Sequence, residues 1–139
     1  MVANKSITVR AIMAQNPVTL EHDDILDLAS DIMNLGRIRH LPILNKGKVV
    51  GVLSQRNLFH SAVVVALGLD VKESRDLLKT IRVREVMSTP VITVSPDTGV
   101  KEAARIMIEK KIGCLPVMEN ESLVGLVTES DILRYVVNL

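Results

Sequence analysis

Between residues 23 and 36 the apolar side chains Ile25, Leu28, Ala29, Ile32 and Met33 recur at i, i+3, i+4, i+7 and i+8, the spacing of one helix face. Asp23 or Asp24 is placed to cap that helix and Gly36 to end it. The period then changes. Leu41 to Leu44 and Val49 to Leu53 are short apolar runs separated by Asn45, Lys46, Gly47 and Lys48, which predicts a hairpin. After Ser54 the pattern is helical again. Further on, Pro96 and Asp97 are placed to open a helix bearing Val100, Ala103, Ala104 and Met107. Strands Leu115 to Met118 and Leu123 to Val127 follow, and a last helix begins after Thr128. The predicted order is β-α-β-β-α, twice.

The recurrence is also literal. At an offset of 74 residues, ITVRAIM falls on IRVREVM, RHLPIL on GCLPVM and GVLSQRNLF on GLVTESDIL, with no gap required. Met13 meets Met87, Thr19 meets Thr93, Asp23 meets Asp97, Ala29 meets Ala103, Pro42 meets Pro116 and Gly51 meets Gly125. The chain is therefore read as two copies of one unit. The expected boundaries are repeat 1 over residues 7–61, a helical connector over 62–80, and repeat 2 over 81–139.

In the connector, Gly68 is placed to break the helix begun after Ser54, and Lys72 to Leu78 predicts a second short helix. Leu58, Phe59, Ala62, Val63, Val64, Val65 and Leu67 cover more than one helix side. A surplus apolar face of this kind is expected to drive self-association into a homodimer, with Ile132, Leu133, Val136 and Val137 as its counterpart in repeat 2.

Composition narrows the function classes. Net charge is +1 with the signs interspersed, and Phe59 and Tyr135 are the only aromatic residues, so neither a basic face nor a set of stacking platforms argues for nucleic acid. The longest apolar run, Ala62 to Leu67, is far short of the ~20 residues that span a bilayer. With one cysteine and no signal-peptide pattern, a cytoplasmic location is expected. His22, His40 and His60 lack metal-ligand spacing, and Cys114 lies in a predicted strand, where a buried thiol is the expectation. The six methionines fall at helical or core positions. No nucleophile triad, paired acids or Gly-rich phosphate loop is spaced for catalysis, and the chain is not read as an enzyme.

The most informative polar residues are Thr128 and Asp131, where an apolar strand runs into a helix. Thr128-x-x-Asp131 is close to a capping box, and it also places a hydroxyl and a carboxylate where unpaired helix amides can meet an anion. A cap and a pocket are compatible.

Together the doubled β-α-β-β-α unit, the Leu-Pro-Ile/Val strand at Pro42 and Pro116, and the Gly-hydrophobic-x-Ser/Thr-x-x-Asn/Asp ending resemble the paired cystathionine-β-synthase-type (CBS) domains, or Bateman module. The resemblance covers almost the whole chain. It implies an α+β protein of two CBS repeats packed with pseudo-twofold symmetry, with clefts for adenosine ligands such as AMP, ADP, ATP or S-adenosylmethionine. It also implies that Thr128 lies near the first phosphate and Asp131 receives ribose hydroxyls, with Ser54 and Asn57 in the corresponding places of repeat 1. Asn57 departs from the family's acid, and an amide is a weaker acceptor than a carboxylate. Arg56 stands where the family often presents a basic residue to phosphate, and Arg39 and His40 precede the same strand. Ser130, Gly113 and Cys114 hold those places in repeat 2, while Lys110 and Lys111 suit a helix C-terminus. The expectation is an adenine-nucleotide sensor that acts on an unknown effector protein or through its own assembly. The alternatives are a structural interaction module without ligand and an S-adenosylmethionine binder.

Overall fold

A computed structural model describes residues 7–59 and 70–139. The chain divides into two compact units that do not follow chain order: one joins the residues up to Pro17 with Ile92–Leu139, the other is Val18–Val91. The segment that leads repeat 1 thus belongs to the unit of repeat 2, and the segment that leads repeat 2 belongs to the unit of repeat 1.

In the Val18–Val91 unit, β2 (Leu20–Glu21), β3 (His40–Asn45) and β4 (Lys48–Ser54) form one sheet, with β2 parallel and β4 antiparallel to β3. Helix α1 (Leu26–Gly36) lies between β2 and β3 in sequence, a helix α2 begins after Ser54 and is described over 55–59, and α3 (Val71–Leu78) starts on an Asp70 cap whose carboxylate accepts from Glu73 N–H at 2.7 Å. The core gathers Leu20, Leu26, Ala29, Met33, Leu41, Ile43 and Leu53, and the lead segment of repeat 2 closes it with the fully buried Val83.

The other unit repeats this plan. Strands β5 (Cys114–Glu119) and β6 (Ser122–Thr128) form the hairpin, and β1 (Ala14–Gln15) of the lead segment pairs antiparallel with β6. Helix α4 (Val100–Lys110) precedes the hairpin and α5 (Glu129–Val137) follows it. Val9, from the lead segment, is fully buried among Ala103, Leu115, Val117 and Val127. Both hairpins slip register at one place, between Ile43 and Leu44 and between Val117 and Met118.

Lead segments explain where the helices begin. Neither Asp23 nor Asp24 caps α1, and neither Pro96 nor Asp97 starts α4. The N-caps are Ile25 and Gly99, and the first helical amides donate to lead-segment carbonyls, Leu26 N–H to Ile81 O at 2.8 Å and Val100 N–H to Ile7 O at 2.9 Å. A main-chain acceptor takes the place of a side-chain cap. The acids are used elsewhere: Asp24 accepts from Glu21 N–H at 2.8 Å, and Asp23 and Asp97 pair with Arg84 and Arg10. Gly36 is likewise the last residue of α1 rather than its left-handed terminator, which is Arg37 at φ 52°. A Cβ at Gly36 would lie 2.8 Å from Ile38 Cδ1, so close packing by Ile38 accounts for the glycine.

The surplus face needs a similar revision. Leu58 is buried in the core and Ile132 packs against the core of its own unit, so neither is spare. Phe59, Leu133, Val136 and Val137 are exposed. Residues 62–67 and Gly68 lie outside the described residues.

Candidate functional site

Each hairpin ends in the same strand-to-helix corner. In the Val18–Val91 unit, β4 stops at Ser54 opposite His40, and Gln55 N–H donates to Arg39 O at 2.7 Å. At the matching corner, Thr128 stands opposite Cys114 and Glu129 N–H donates to Gly113 O at 3.0 Å. These bonds clamp the helix start to the residue before the Leu-Pro strand, so the candidate residues of each repeat share one short stretch of main chain.

At the second corner, Thr128 and Asp131 form a capping box. Thr128 N–H and Oγ1–H donate to Asp131 Oδ2 at 2.9 and 3.0 Å, and Asp131 N–H donates back to Thr128 Oγ1 at 3.3 Å. Asp131 Oδ1 receives the Arg134 guanidinium at 3.3 Å. The first corner copies the box with an amide: Ser54 N–H and Oγ–H donate to Asn57 Oδ1 at 2.9 and 2.7 Å, and Asn57 N–H donates to Ser54 Oγ at 3.0 Å. A reciprocal bond of this kind satisfies two orphan donors of the helix start.

Sequence reasoning missed Ser88 and Arg134. Ser88 comes from the lead segment of repeat 2 and donates its hydroxyl to Asn57 Oδ1 at 3.3 Å, while its main chain bridges to Val52. Its counterpart one repeat earlier is Ala14, paired with Leu126. The offset of 74 already contrasted a hydroxyl with a methyl there; what it lacked was which unit each lead segment joins.

The other candidates are placed as follows. Arg39 and Arg56 are exposed, and neither guanidinium makes an ion pair among the described residues. His40 is half-buried on β3, and Ser130 is exposed in the first turn of α5. Cys114 is buried, and burial together with the nearby Glu129 carboxylate pushes its thiol up to about 12, so it is withdrawn from nucleophilic chemistry. Among the described residues no group of three or more His, Cys, Asp or Glu is arranged to hold a metal, and no helix is long and apolar enough to cross a membrane.

Two units that share a helix, a hairpin and a Ser/Thr-x-x-Asn/Asp corner define a tandem-repeat module with a polar group at each helix start. Residues 9–64 and 83–138 each match the CBS domain family, and the chain belongs to that family as a CBS pair. It is 36% identical to a Vibrio cholerae protein described as an acetoin utilization protein (AcuB), with a TM-score of 0.76 over 96% of this chain and 92% of that one. The CBS domain pair of protein MJ0100, solved in complex with 5′-methylthioadenosine and S-adenosyl-L-methionine, is 26% identical with a TM-score of 0.78 over 96% of this chain and 98% of that one. Among curated relatives, the Methanocaldococcus jannaschii protein MJ1426, itself uncharacterized, is 28% identical over 151 aligned residues, covering 91% of this chain and 89% of the relative.

Proposed function

We propose that the chain is a non-catalytic, cytoplasmic regulatory module that binds an adenine nucleotide, AMP, ADP or ATP, at its strand-to-helix corners. It passes the response to a separate effector protein or through its assembly as a homodimer. The observation that carries this reading is the duplicated corner: in a CBS pair, the same hydroxyl-x-x-Asn/Asp box stands at both helix starts, beside helix amides that favour an anion. Arg39 and Arg56, exposed and outside any ion pair among the described residues, supply cations for phosphate at the first corner. His40, Cys114 and Ser130 complete the ligand-facing set by position alone. The exposed Leu133, Val136 and Val137 of α5 are the surface assigned to self-association.

A second reading has its own support. The MJ0100 pair carries S-adenosylmethionine and methylthioadenosine, which share the adenosine moiety without a phosphate. The likeness to AcuB makes acetoin utilization the candidate process under control.

Thermal unfolding with AMP, ADP, ATP, S-adenosylmethionine and GTP separates the readings. A ligand at 100 times its dissociation constant adds about 2.7 kcal/mol, a rise of several degrees in Tm for a domain of this size. Nucleotides are expected to raise Tm more than S-adenosylmethionine, and GTP least. A transition unmoved by every compound would favour an interaction module whose helix faces carry the function.

A further inference from the structure

The two lead segments hold the two corners unequally. In the Val18–Val91 unit, Ser88 N–H donates to Val52 O at 2.8 Å and Val52 N–H donates to Ser88 O at 3.2 Å, so the segment is paired to β4 two residues before Ser54. The Ser88 hydroxyl adds a further bond, 3.3 Å to Asn57 Oδ1 of the capping box. Met87, one residue earlier, packs against the core of that unit. Only Thr89, Pro90 and Val91 then separate Ser88 from Ile92, which packs against the core of the other unit. The Pro90 ring fixes one of the intervening torsions. Two residues on, Val94 N–H donates to Pro116 O at 3.0 Å and Met118 N–H donates to Val94 O at 2.8 Å. Pro116 and Met118 belong to β5, whose first residue, Cys114, stands opposite Thr128 of the second corner. The matching run 14–20 is looser in two places. Ala14 pairs with Leu126 but has no hydroxyl for the box, and Val18, where Ile92 stands one repeat later, is 47% exposed.

We infer that residues 88–94 couple the two corners, with Ser88 as the positioning residue that carries occupancy of the first corner to β5 and so to the second. The inference rests on the adenosine reading proposed above and assigns regulation within it. A ligand at the first corner orders Ser54 and Asn57, and the Ser88 hydroxyl is bonded to that same box. With its main chain held on Val52 and Ile92 seated against a core, the segment has little freedom to absorb the change, which therefore reaches the Val94 bonds to β5. A second ligand meets a corner whose strand is already ordered, and the two bind with positive cooperativity. The coupling acts in both directions, because linkage between binding sites is reciprocal. Ser88 makes the link through its hydroxyl, and the methyl of Ala14 leaves the run 14–20 without it.

Hydrogen exchange at the Met118 amide reads the coupling away from the ligand. Asp131→Ala removes the carboxylate of the second corner and confines AMP to the first, and calorimetry fixes the stoichiometry and the saturating concentration for each variant. In Asp131→Ala, saturating AMP is expected to slow exchange at Met118 by about fivefold or more. Adding Ser88→Ala should abolish that slowing, and adding Ser88→Thr, which keeps the hydroxyl, should retain it. A purely local role for Ser88 would change AMP affinity and leave the exchange response in place. If the response survives Ser88→Ala, or bound AMP never slows Met118, the coupling is wrong while the adenosine reading stands. Loss of all AMP binding in Ser88→Ala would make the serine a ligand contact and overturn the coupling as well. If AMP, ADP and ATP all fail to bind the unmodified chain at millimolar concentration, the adenosine reading fails and this inference fails with it.

Discussion

The two hairpin turns are one turn made from different residues. Lys46 and Gly47 stand at φ 52° and 79°, and Asn120 and Glu121 stand at φ 51° and 66°, closing Asn45 on Lys48 and Glu119 on Ser122. Both central residues are left-handed in each, as the two-residue turn that suits strand twist requires. Only the first turn uses glycine. The strand glycines behave in the opposite way: Gly51 and Gly125 are kept in both repeats, and neither has a positive φ. A side chain at a left-handed turn position costs conformational energy that the hairpin can absorb, whereas a Cβ on the strand would need space already filled by the other repeat's lead segment. The backbone is set by how the units are assembled, and residue choice is free only where that assembly leaves room.

The largest expected effect tests which lead segment closes which core. Val9 and Val83 are fully buried in separate cores. Val9→Asp should cost at least about 3 kcal/mol, combining lost packing with a carboxyl that must be buried. Native-state hydrogen exchange should then quicken across 92–139 and not across 18–59, with Val83→Asp giving the reverse. If Val9→Asp instead loosened 18–59, each lead segment would serve the repeat that follows it in the chain, and the exchange would be wrong.

Elements were legible in the sequence where their signal is local. The 3.6-residue period and the short apolar runs beside turn residues located α1, β3, β4, α4, β5, β6 and α5 to within a residue or two at most ends, and the offset of 74 exposed the repeat. Periodicity states which face is buried, not what buries it. Val9, Ile12 and Met13 are as suitable for one core as for the other, so the exchange of lead segments was illegible, and with it the role of Ile7 and Ile81 carbonyls at the helix starts. Leu58 and Ile132 were misread for the same reason: a helix face that looks surplus is not surplus when a core lies beside it. The corner residues were legible by type and spacing, but the Ser88 hydroxyl that reaches Asn57 was not, because it comes from the lead segment of the other repeat.

A middle-sized effect sharpens the contrast between the two kinds of glycine. A Cβ at Gly51 would stand 2.7 Å from Met87 Sδ and 3.0 Å from Ser88 O, and one at Gly125 would crowd Met13 Sδ and stand 3.0 Å from Ala14 O. The methionine ends can move, but the carbonyls belong to bridged or paired main chain. Gly125→Ala should therefore cost roughly 1 to 3 kcal/mol by overpacking, read from the denaturant midpoint. Adding Met13→Ala should change that cost, because the residues touch, whereas Met87→Ala should only add its own. Non-additivity with Met87 rather than Met13 would contradict the exchange a second time.

The smallest effect has the opposite sign. Glu121 holds φ 66° with a side chain, a conformation that costs roughly 1 to 2 kcal/mol per residue outside glycine. Its equivalent, Gly47, meets nothing within 4 Å of a built Cβ, so the turn is open and steric crowding is not what separates the two. Replacing Glu121 by Gly removes the strain but returns about 0.5 to 1 kcal/mol of backbone entropy to the unfolded chain. The net gain should be roughly half to one kcal/mol, a rise of a few degrees in Tm. Gly47→Glu should lose about as much, since it imposes on the first turn what the second already bears. If Glu121→Gly failed to stabilise while Gly47→Glu still destabilised, the second turn would be drawing compensation from elsewhere in its hairpin, and the two turns would share a shape without sharing an energy.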